Sequence, residues 1–390
     1  MKTLQNNNLL IKELGLLVFF ITLTLNFAWG EEIPTSVFLP EETKETTLPS
    51  FSLNQTFPSV TPQKISDEIW ETLSPMPTPR SEVVTVNLGD KIYVIGGFDK
   101  NDQPTDVIEV YDPANNSWEV SSSIPKILHH AGAASFEEKL FIVGGYSDYW
   151  TPSRSFFIYD PIDDSWITGP DMPTPRGALT VQFVAGRLYA IGGANPIPLS
   201  VNEEYDPTNN VWSTKSPMPT AREHLASAVI DDKMYVIGGR IIFLTSNLNS
   251  NEVYDPRTDT WEKLEEMPTP RGGLTASQIN GTIFVFGGET ARSTFDNNEQ
   301  FIPGEGWHTR LSMPTARHGL GSATVHDTIY VIGGGTSPGI SVSGINEAYY
   351  NSQFIPEFGS FTLVVLLISI VIVSFILPKN NFNKSSRNCS

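Results

Sequence analysis

The sequence predicts an all-β protein built from six copies of one short unit, and two observations support this. First, the chain of 390 residues contains 29 prolines and 30 glycines, with 39% hydrophobic and 17% charged residues, a composition typical of a loop-rich β protein. Second, a Gly-Gly pair recurs every 46 to 49 residues, each time after a short apolar run such as residues 92–95. Short β-branched and aromatic runs bounded by Gly, Pro, Asn and Asp are predicted to be strands.

Each unit is marked by a double glycine and by a tryptophan 27 residues before the second glycine of the next pair. A double glycine at a strand end permits a sharp turn where a side chain would clash, and a tryptophan can fill the gap between neighbouring units. We therefore predict structural roles for Gly96, Gly97, Gly144, Gly145, Gly192, Gly193, Gly238, Gly239, Gly287, Gly288, Gly333 and Gly334, and for Trp70, Trp118, Trp166, Trp212, Trp261 and Trp307.

Two further elements complete the repeat. A Tyr-Asp-Pro turn follows four of the glycine pairs, at Tyr111, Tyr159, Tyr205 and Tyr254, and Met-Pro-Thr-Pro-Arg or a near copy follows the tryptophans. The double glycine, the tyrosine and the tryptophan at these relative places resemble the kelch repeat. The resemblance covers residues 65–352 and implies a β-propeller, in which each repeat forms one four-stranded antiparallel blade.

The predicted propeller has six blades and is closed by an N-terminal strand. The last repeat supplies three strands through Tyr350 and lacks the one that begins at the tryptophan, whereas a spare strand of this kind, residues 66–74, precedes the first repeat. Pairing the two would complete the sixth blade and remove exposed strand edges. A solenoid with open ends is the alternative. The predicted repeats lie near residues 77–124, 125–172, 173–218, 219–267, 268–313 and 314–352.

Both ends of the chain carry patterns typical of export and anchoring. Residues 1–30 combine early lysines, an apolar run and small residues near Gly30, which predicts a signal peptide, with an uncleaved anchor as the alternative. Residues 31–64 are rich in Thr and Pro and are predicted to be a linker. Residues 360–378 are predicted to form a transmembrane helix, and the basic tail, residues 379–390, is predicted to be cytoplasmic.

A short motif stands immediately before the predicted membrane helix, in residues 353–359. Pro356, Glu357, Phe358 and Gly359, followed by an apolar segment and a basic tail, resemble the PEFG-type sorting signal of surface proteins handled by archaeosortases. The resemblance implies an archaeal surface protein that is cleaved near this motif by an archaeosortase-like enzyme. The alternative is a permanent single-pass anchor, and both place the propeller outside the cell.

Charge and cysteine content exclude two classes of function. The formal net charge of -18 disfavours binding to nucleic acid. The single cysteine, Cys389, lies beyond the predicted membrane helix. Some proteins with kelch-type propellers, the galactose-oxidase-like copper radical enzymes, need a cysteine joined to a tyrosine at the active site. The sequence excludes that chemistry here.

The candidate ligand-binding residues follow the Met-Pro elements, at one face of the predicted ring. Four of the six histidines fall there, and with two glutamates they form a set of polar side chains that can converge on a ligand or a metal ion. The repeat arginines beside them are interpreted as structural groups that bond loop carbonyls. No local pair of metal ligands is present, so we predict no metal and no cofactor. The candidates are Glu82, His129, His130, Glu223, His224 and His318.

Most length variation between repeats lies in the loops that follow the glycine pairs, on the same face as these polar residues. These loops carry Tyr149 and Trp150 as further candidates, beside the exposed-looking residues Phe98, Tyr146 and Arg240. Flat rings beside polar donors suit sugar stacking or a peptide anchor, whereas packing of each loop on its neighbour is the alternative. Possible glycosylation sites are Asn54, Asn115 and Asn280, of which the last two fall on the opposite face.

Three functions remain open from the sequence, and one of them is a structural role in the cell coat, for which the sequence offers no discriminating feature. The favoured one is a non-catalytic surface module that binds an extracellular protein or polysaccharide. The alternative is a carbohydrate-active enzyme, because six-bladed kelch propellers include bacterial sialic-acid mutarotases, and Glu82, Glu223 and His130 could supply an acid and a base. No catalytic residue is assigned, because no motif specific to those enzymes is present.

Overall fold

A computed structural model describes residues 68–241 and 245–351 of the chain. The described residues form six four-stranded antiparallel sheets and one two-stranded sheet. The prediction of an all-β, six-bladed propeller is therefore confirmed. Among the described residues, no helix has both the length and the apolar character that a membrane span requires.

The strand bounds follow the repeat closely. Blade 1 consists of β2 (Val84–Leu88), β3 (Lys91–Ile95), β4 (Ile108–Asp112) and β5 (Ser117–Val120), and blade 2 of β6 (Gly132–Phe136), β7 (Lys139–Val143), β10 (Phe156–Asp160) and β11 (Ser165–Thr168). A short hairpin, β8 (Tyr146–Ser147) and β9 (Thr151–Pro152), projects from blade 2. Blade 3 consists of β12 (Thr180–Val184), β13 (Arg187–Ile191), β14 (Asn202–Asp206) and β15 (Val211–Thr214).

The remaining blades repeat the pattern. Blade 4 consists of β16 (Ala226–Ile230), β17 (Lys233–Ile237), β18 (Asn251–Asp255) and β19 (Thr260–Lys263), and blade 5 of β20 (Thr275–Ile279), β21 (Thr282–Phe286), β22 (Asn298–Ile302) and β23 (Gly306–Thr309). Blade 6 consists of β24 (Gly321–Val325), β25 (Thr328–Ile332), β26 (Asn346–Asn351) and β1 (Glu68–Thr72).

The sixth blade is completed by the N-terminal strand, as predicted. Strand β1 pairs antiparallel with β26, with Glu68 opposite Asn351 and Trp70 opposite Tyr349. The innermost strand of each blade contacts the innermost strands of its two neighbours, including β2 with β24, so the ring is closed. The hydrophobic clusters lie between neighbouring blades, because one blade alone cannot bury both of its faces.

The double glycines and the tryptophans join neighbouring blades. Both glycines of each pair have positive φ, and a Cβ on Gly96 would lie 2.4 Å from the carbonyl oxygen of Leu128 in the next blade. The N–H of Gly97 donates to that same oxygen. The Trp118 indole donates to the carbonyl of Ser74 at 2.8 Å, and four of the other repeat tryptophans make the equivalent bond. The glycines therefore allow the backbones of neighbouring blades to approach closely, and the tryptophans bond one blade to the next.

In five blades, a fully buried arginine after the Met-Pro element pairs with a glutamate of the third strand, with N–O distances between 2.5 and 2.9 Å. The pairs are Arg80–Glu109, Arg176–Glu203, Arg222–Glu252, Arg271–Glu299 and Arg317–Glu347. Each arginine also donates to backbone carbonyls, as Arg80 does to Gly96 at 2.7 Å. The interpretation of these arginines as structural groups is confirmed.

Several predictions fall outside the described residues. These are the signal peptide, the linker, the motif at residues 356–359, the C-terminal membrane helix with its tail, and the glycosylation site at Asn54. They remain predictions.

Candidate functional site

Six structurally equivalent residues, one from each blade, surround the mouth of the central channel. All have left-handed backbone conformations, with φ between 51° and 66°. The N–H of each donates to the carbonyl oxygen of its equivalent in a neighbouring blade, over 2.7 to 3.2 Å, so the hydrogen bonds run round the channel in a closed circle. We call these six residues the mouth ring: Glu82, His130, Ala178, His224, Gly273 and Gly319.

The mouth ring holds non-glycine residues in a strained conformation. Two of the six positions carry glycine, which adopts positive φ freely, whereas a residue with a Cβ pays about 1–2 kcal/mol there. Three of the others are titratable residues: Glu82, His130 and His224. Such strain persists where the surrounding structure enforces it, and it clusters at functional sites.

The side chains of these three residues converge above the channel. The Glu82 carboxylate oxygen Oε2 lies 3.1 Å from His130 Nε2 and 4.0 Å from His224 Nε2. The other oxygen, Oε1, lies 3.7 Å from Nε2 of the fully buried His318. The three ligand atoms offered by Glu82, His130 and His224 all lie within 4.8 Å of one another.

A buried arginine links this cluster to two more glutamates. Arg240 Nε lies 3.1 Å from Glu223 Oε1, and Nη1 lies 2.9 Å from Glu289 Oε1. Its Nη2 donates to His224 Nε2 at 2.9 Å. Burial alone would raise the pKa of Glu223, but the neighbouring His224 and Arg240 lower it to about 2. The prediction that Arg240 is an exposed loop residue is therefore wrong, because Arg240 pairs with Glu223 in an isolated bridge and is buried.

His129 lies beneath the Tyr149 loop rather than at the mouth ring. Its Nε2 is 2.7 Å from the carbonyl oxygen of Tyr149, and its Nδ1 is 2.6 Å from Nδ1 of His130. Burial lowers the pKa of His129 to about 4. Burial, with further contributions from the neighbouring histidines and Arg240, also holds the pKa of His130 well below its ordinary value. Both rings are therefore uncharged at neutral pH.

A cavity of about 260 Å³ opens above the cluster. Phe98, Trp150 and Ile340 form its apolar walls, and Glu82, His130 and Arg240 are among its polar lining residues. A second cavity, of about 360 Å³, is lined by Tyr146, Trp150, Glu223 and Ile241. Trp150 thus lines both cavities.

The aromatic residues of this face divide into two groups. Tyr149 and Trp150 are 57% and 50% exposed, as expected of contact residues. Phe98 and Tyr146 are buried, so the prediction that they are exposed is wrong. Their rings pack against His129, with centroids 4.1 and 5.5 Å away, and act as walls for the histidines. Both described glycosylation candidates, Asn115 and Asn280, are exposed.

The structure brings most of the predicted site together. Glu82, His130, His224 and His318 form one cluster, Glu223 contacts its edge, and His129 contacts His130 from behind. Sequence reasoning missed the parts played by Arg240 and Glu289, which lie in loops of blades 4 and 5. It also missed the hydrogen-bonded circle and the positive φ of the mouth ring, although Gly273 and Gly319 occupy the same repeat position as Glu82 and mark it as a position of positive φ.

Fold and site define a closed six-bladed propeller with a polar cluster at one mouth of its channel. The chain belongs to the Kelch-repeat family: residues 59–239 and 212–354 match the family model described as the KLHDC2/KLHL20/DRC7 Kelch-repeats domain. The comparison with curated proteins gave no match.

Proposed function

We propose that this protein is a cell-surface binding module, which captures an extracellular protein or polysaccharide partner on the face that carries Tyr149 and Trp150. The single observation that supports this most directly is the position of Trp150. Trp150 is half exposed and lines two cavities, one of which also has the polar residues Glu82, His130 and Arg240 in its lining. A flat amphipathic ring beside polar groups is a typical anchor for a sugar ring or a peptide side chain.

The test is the affinity of the full chain for cell-envelope material of the producing organism. Trp150→Ala is expected to weaken binding by about 2 kcal/mol, or about 30-fold, as for an interface anchor. The matched control is Ile162→Ala, which removes a 75% exposed apolar side chain from the opposite face of the same blade. Protease treatment of the envelope abolishes binding to a protein, and periodate oxidation abolishes binding to a polysaccharide. Equal losses in the two variants would contradict the proposal.

The location is part of the same proposal and rests on the sequence patterns at the two ends. We propose export through residues 1–30, anchoring through residues 360–378, and processing near Pro356–Gly359 by an archaeosortase-like enzyme. The mass of the protein recovered from the cell surface tests this. Loss of residues 1–30 and of the segment beyond Gly359 is expected, whereas a mature protein that retains residues 360–390 would indicate a permanent anchor.

A second candidate function is a carbohydrate-active enzyme of the mutarotase kind. The cavity favours it, because Glu82 and His130 lie side by side in its lining and one of these groups has a strongly shifted pKa. Glu82→Gln and His130→Gln are expected to abolish mutarotation of sialic acids if the protein is this enzyme. In a binding module the same substitutions would leave partner affinity nearly unchanged, while Trp150→Ala would not.

A further inference from the structure

The Glu82, His130 and His224 cluster has the donor set of a transition-metal site. We propose that these three residues bind one divalent metal ion of the zinc class. Two imidazoles and one carboxylate are a common ligand set for zinc sites that keep a fourth position open. The proposal does not depend on the partner of the propeller, because it concerns an ion held by residues of this chain alone.

The distances between the donor atoms support this. In a tetrahedral zinc site with bonds of about 2.0–2.1 Å, donor atoms lie about 3.4 Å apart. The Glu82 Oε2 to His130 Nε2 distance is 3.1 Å, and the Glu82 Oε2 to His224 Nε2 distance is 4.0 Å. All three donor atoms lie within 4.8 Å of one another, so small side-chain movements would bring them to the spacing of a zinc site.

A chain of hydrogen bonds behind His130 directs its Nε2 atom at Glu82. The carbonyl oxygen of Tyr149 can only accept, so His129 Nε2 must donate to it. His129 Nδ1 and His130 Nδ1 lie 2.6 Å apart, so one of the two rings donates to the other. This contact orients the His130 ring, whose Nε2 lies 3.1 Å from the Glu82 carboxylate. A cation between these two atoms would be bound by both of them.

The same bonds serve as outer support for a metal ligand. A metal-binding histidine normally donates its second ring N–H to a carbonyl, a carboxylate or a similar group, which fixes the ring and its tautomer. His130 has this support from His129, whereas His224 Nδ1 makes no hydrogen bond with any described residue and lies 3.5 Å from the Glu223 carboxylate. Arg240 donates to His224 Nε2, the atom that would bind the metal, so this hydrogen bond must be exchanged for the metal bond. Glu223 and Glu289 retain the guanidinium when that happens.

His318 is a second and independent observation at this place. Its side chain is fully buried, neither ring nitrogen has a hydrogen-bond partner, and Nε2 lies 3.7 Å from Glu82 and 3.6 Å from Glu289. Buried polar atoms without partners are rare and require an explanation. A cation held by Glu82 supplies one, because the imidazole can complete the coordination or bond a metal-bound water.

All three ligand residues line the cavity that Phe98 and Trp150 also line. The ion would therefore be reached from the same face as Trp150, through an apolar opening that limits access of water. A group with an oxygen or nitrogen donor that enters this cavity can bind the metal directly.

The experiment measures binding of Zn²⁺ to the full chain, prepared without a histidine tag and stripped with a chelator. Calorimetry is expected to give one ion per chain, and unfolding is expected to shift to higher temperature in proportion to the logarithm of the zinc concentration. His130→Gln and His224→Gln should each weaken binding more than the ~10–100-fold caused by loss of an outer partner. His326→Gln is the matched control, since His326 is exposed on the opposite face.

Equal affinities for the wild type, His130→Gln, His224→Gln and His326→Gln would overturn the proposal, and so would less than one ion per wild-type chain. A second measurement covers the case in which the histidine variants do not fold. X-ray absorption of the zinc-loaded wild type is expected to show four or five N/O neighbours, including at least two imidazoles. A shell of six oxygens and no imidazole would also overturn the proposal, and neither result bears on Trp150 or the binding partner.

Discussion

Blade 2 fills its core differently from the other five blades. Where those blades have a buried arginine and glutamate, blade 2 has Leu128 and Phe157, both buried in one apolar cluster. The backbone is the same in both cases, with four strands and the same inter-blade bonds to the glycine pair. The ion pair is therefore not a requirement of the blade, since a well-packed apolar pair of similar size takes its place.

Blade 2 also contributes more than any other blade to the candidate site. The residue after Leu128 is His129, the mouth-ring residue is His130, and the projecting β8–β9 hairpin carries Tyr149 and Trp150. The other blades retain the repeat residue at the core, and none of their described loops carries an exposed tryptophan. Blade 2 thus differs from the other blades both in its core and in the residues that it contributes to the candidate site.

The largest expected effect comes from breaking one ion pair. Arg222→Leu leaves Glu252 buried without its cation, and we expect a loss of about 3–5 kcal/mol in the free energy of unfolding. The double variant Arg222→Leu/Glu252→Phe copies blade 2 and should recover most of that loss. Urea unfolding of the single and double variants measures both values. A double variant no more stable than the single variant would mean that a leucine and a phenylalanine can replace the ion pair only in blade 2.

A smaller effect is expected from exchanging residues at the mouth ring. Gly273 has φ of 66° and no atom within 3.4 Å of an added Cβ, so Gly273→Ala tests backbone strain rather than a clash. It should cost about 1–2 kcal/mol. Ala178→Gly makes the opposite change at the same position of blade 3 and should stabilise by up to about 1 kcal/mol. Thermal unfolding of both variants checks the signs, and a destabilising Ala178→Gly would contradict the assignment of strain.

The smallest effect concerns alkaline pH and the repeat tyrosine. Burial raises the pKa of Tyr111 to about 12, against about 10 in the unfolded chain. Between these values the folded state keeps the proton and the unfolded state loses it, so the free energy of unfolding falls as pH rises from about 10 to about 12. Tyr111→Phe, which copies Phe301 of blade 5, should reduce this fall. The change in urea midpoint between pH 9 and pH 11 measures this fall in stability. An equal change in the wild type and in Tyr111→Phe would contradict the prediction.

The fold could be predicted because the repeat is regular. The spacing from tryptophan to glycine is constant because the same interface between neighbouring blades occurs six times. The spare N-terminal strand with Trp70 predicted ring closure, and the pairing of β1 with β26 confirms it. The histidines at the rim were predicted for the same reason, since equivalent repeat positions lie at equivalent places in the ring.

The rest of the site depends on a feature of the repeat that the sequence analysis did not use. Arg240 and Phe98 directly follow glycine pairs and look like surface residues in the sequence, but each forms an isolated bridge with the residue before the mouth ring, Glu223 with Arg240 and Ser81 with Phe98. The equivalent bridge occurs in all six blades, and the residue after the glycine pair is buried in each of them. The convergence of Glu82, His130 and His224 was expected from their common repeat position, whereas the distances between their side-chain atoms could not be predicted from the sequence.

Ring closure by β1 also determines how the propeller would respond to mechanical load. Glu68 and Asn351 face each other at one end of the same ladder, so the polypeptide enters and leaves the ring side by side. A force that pulls these two points apart would break the hydrogen bonds between β1 and β26 one after another from this end. It would not load all of them at the same time. The strand that closes the ring would then be the first to peel away, and the edge of β26 that it leaves exposed would be free to pair with a strand of another molecule.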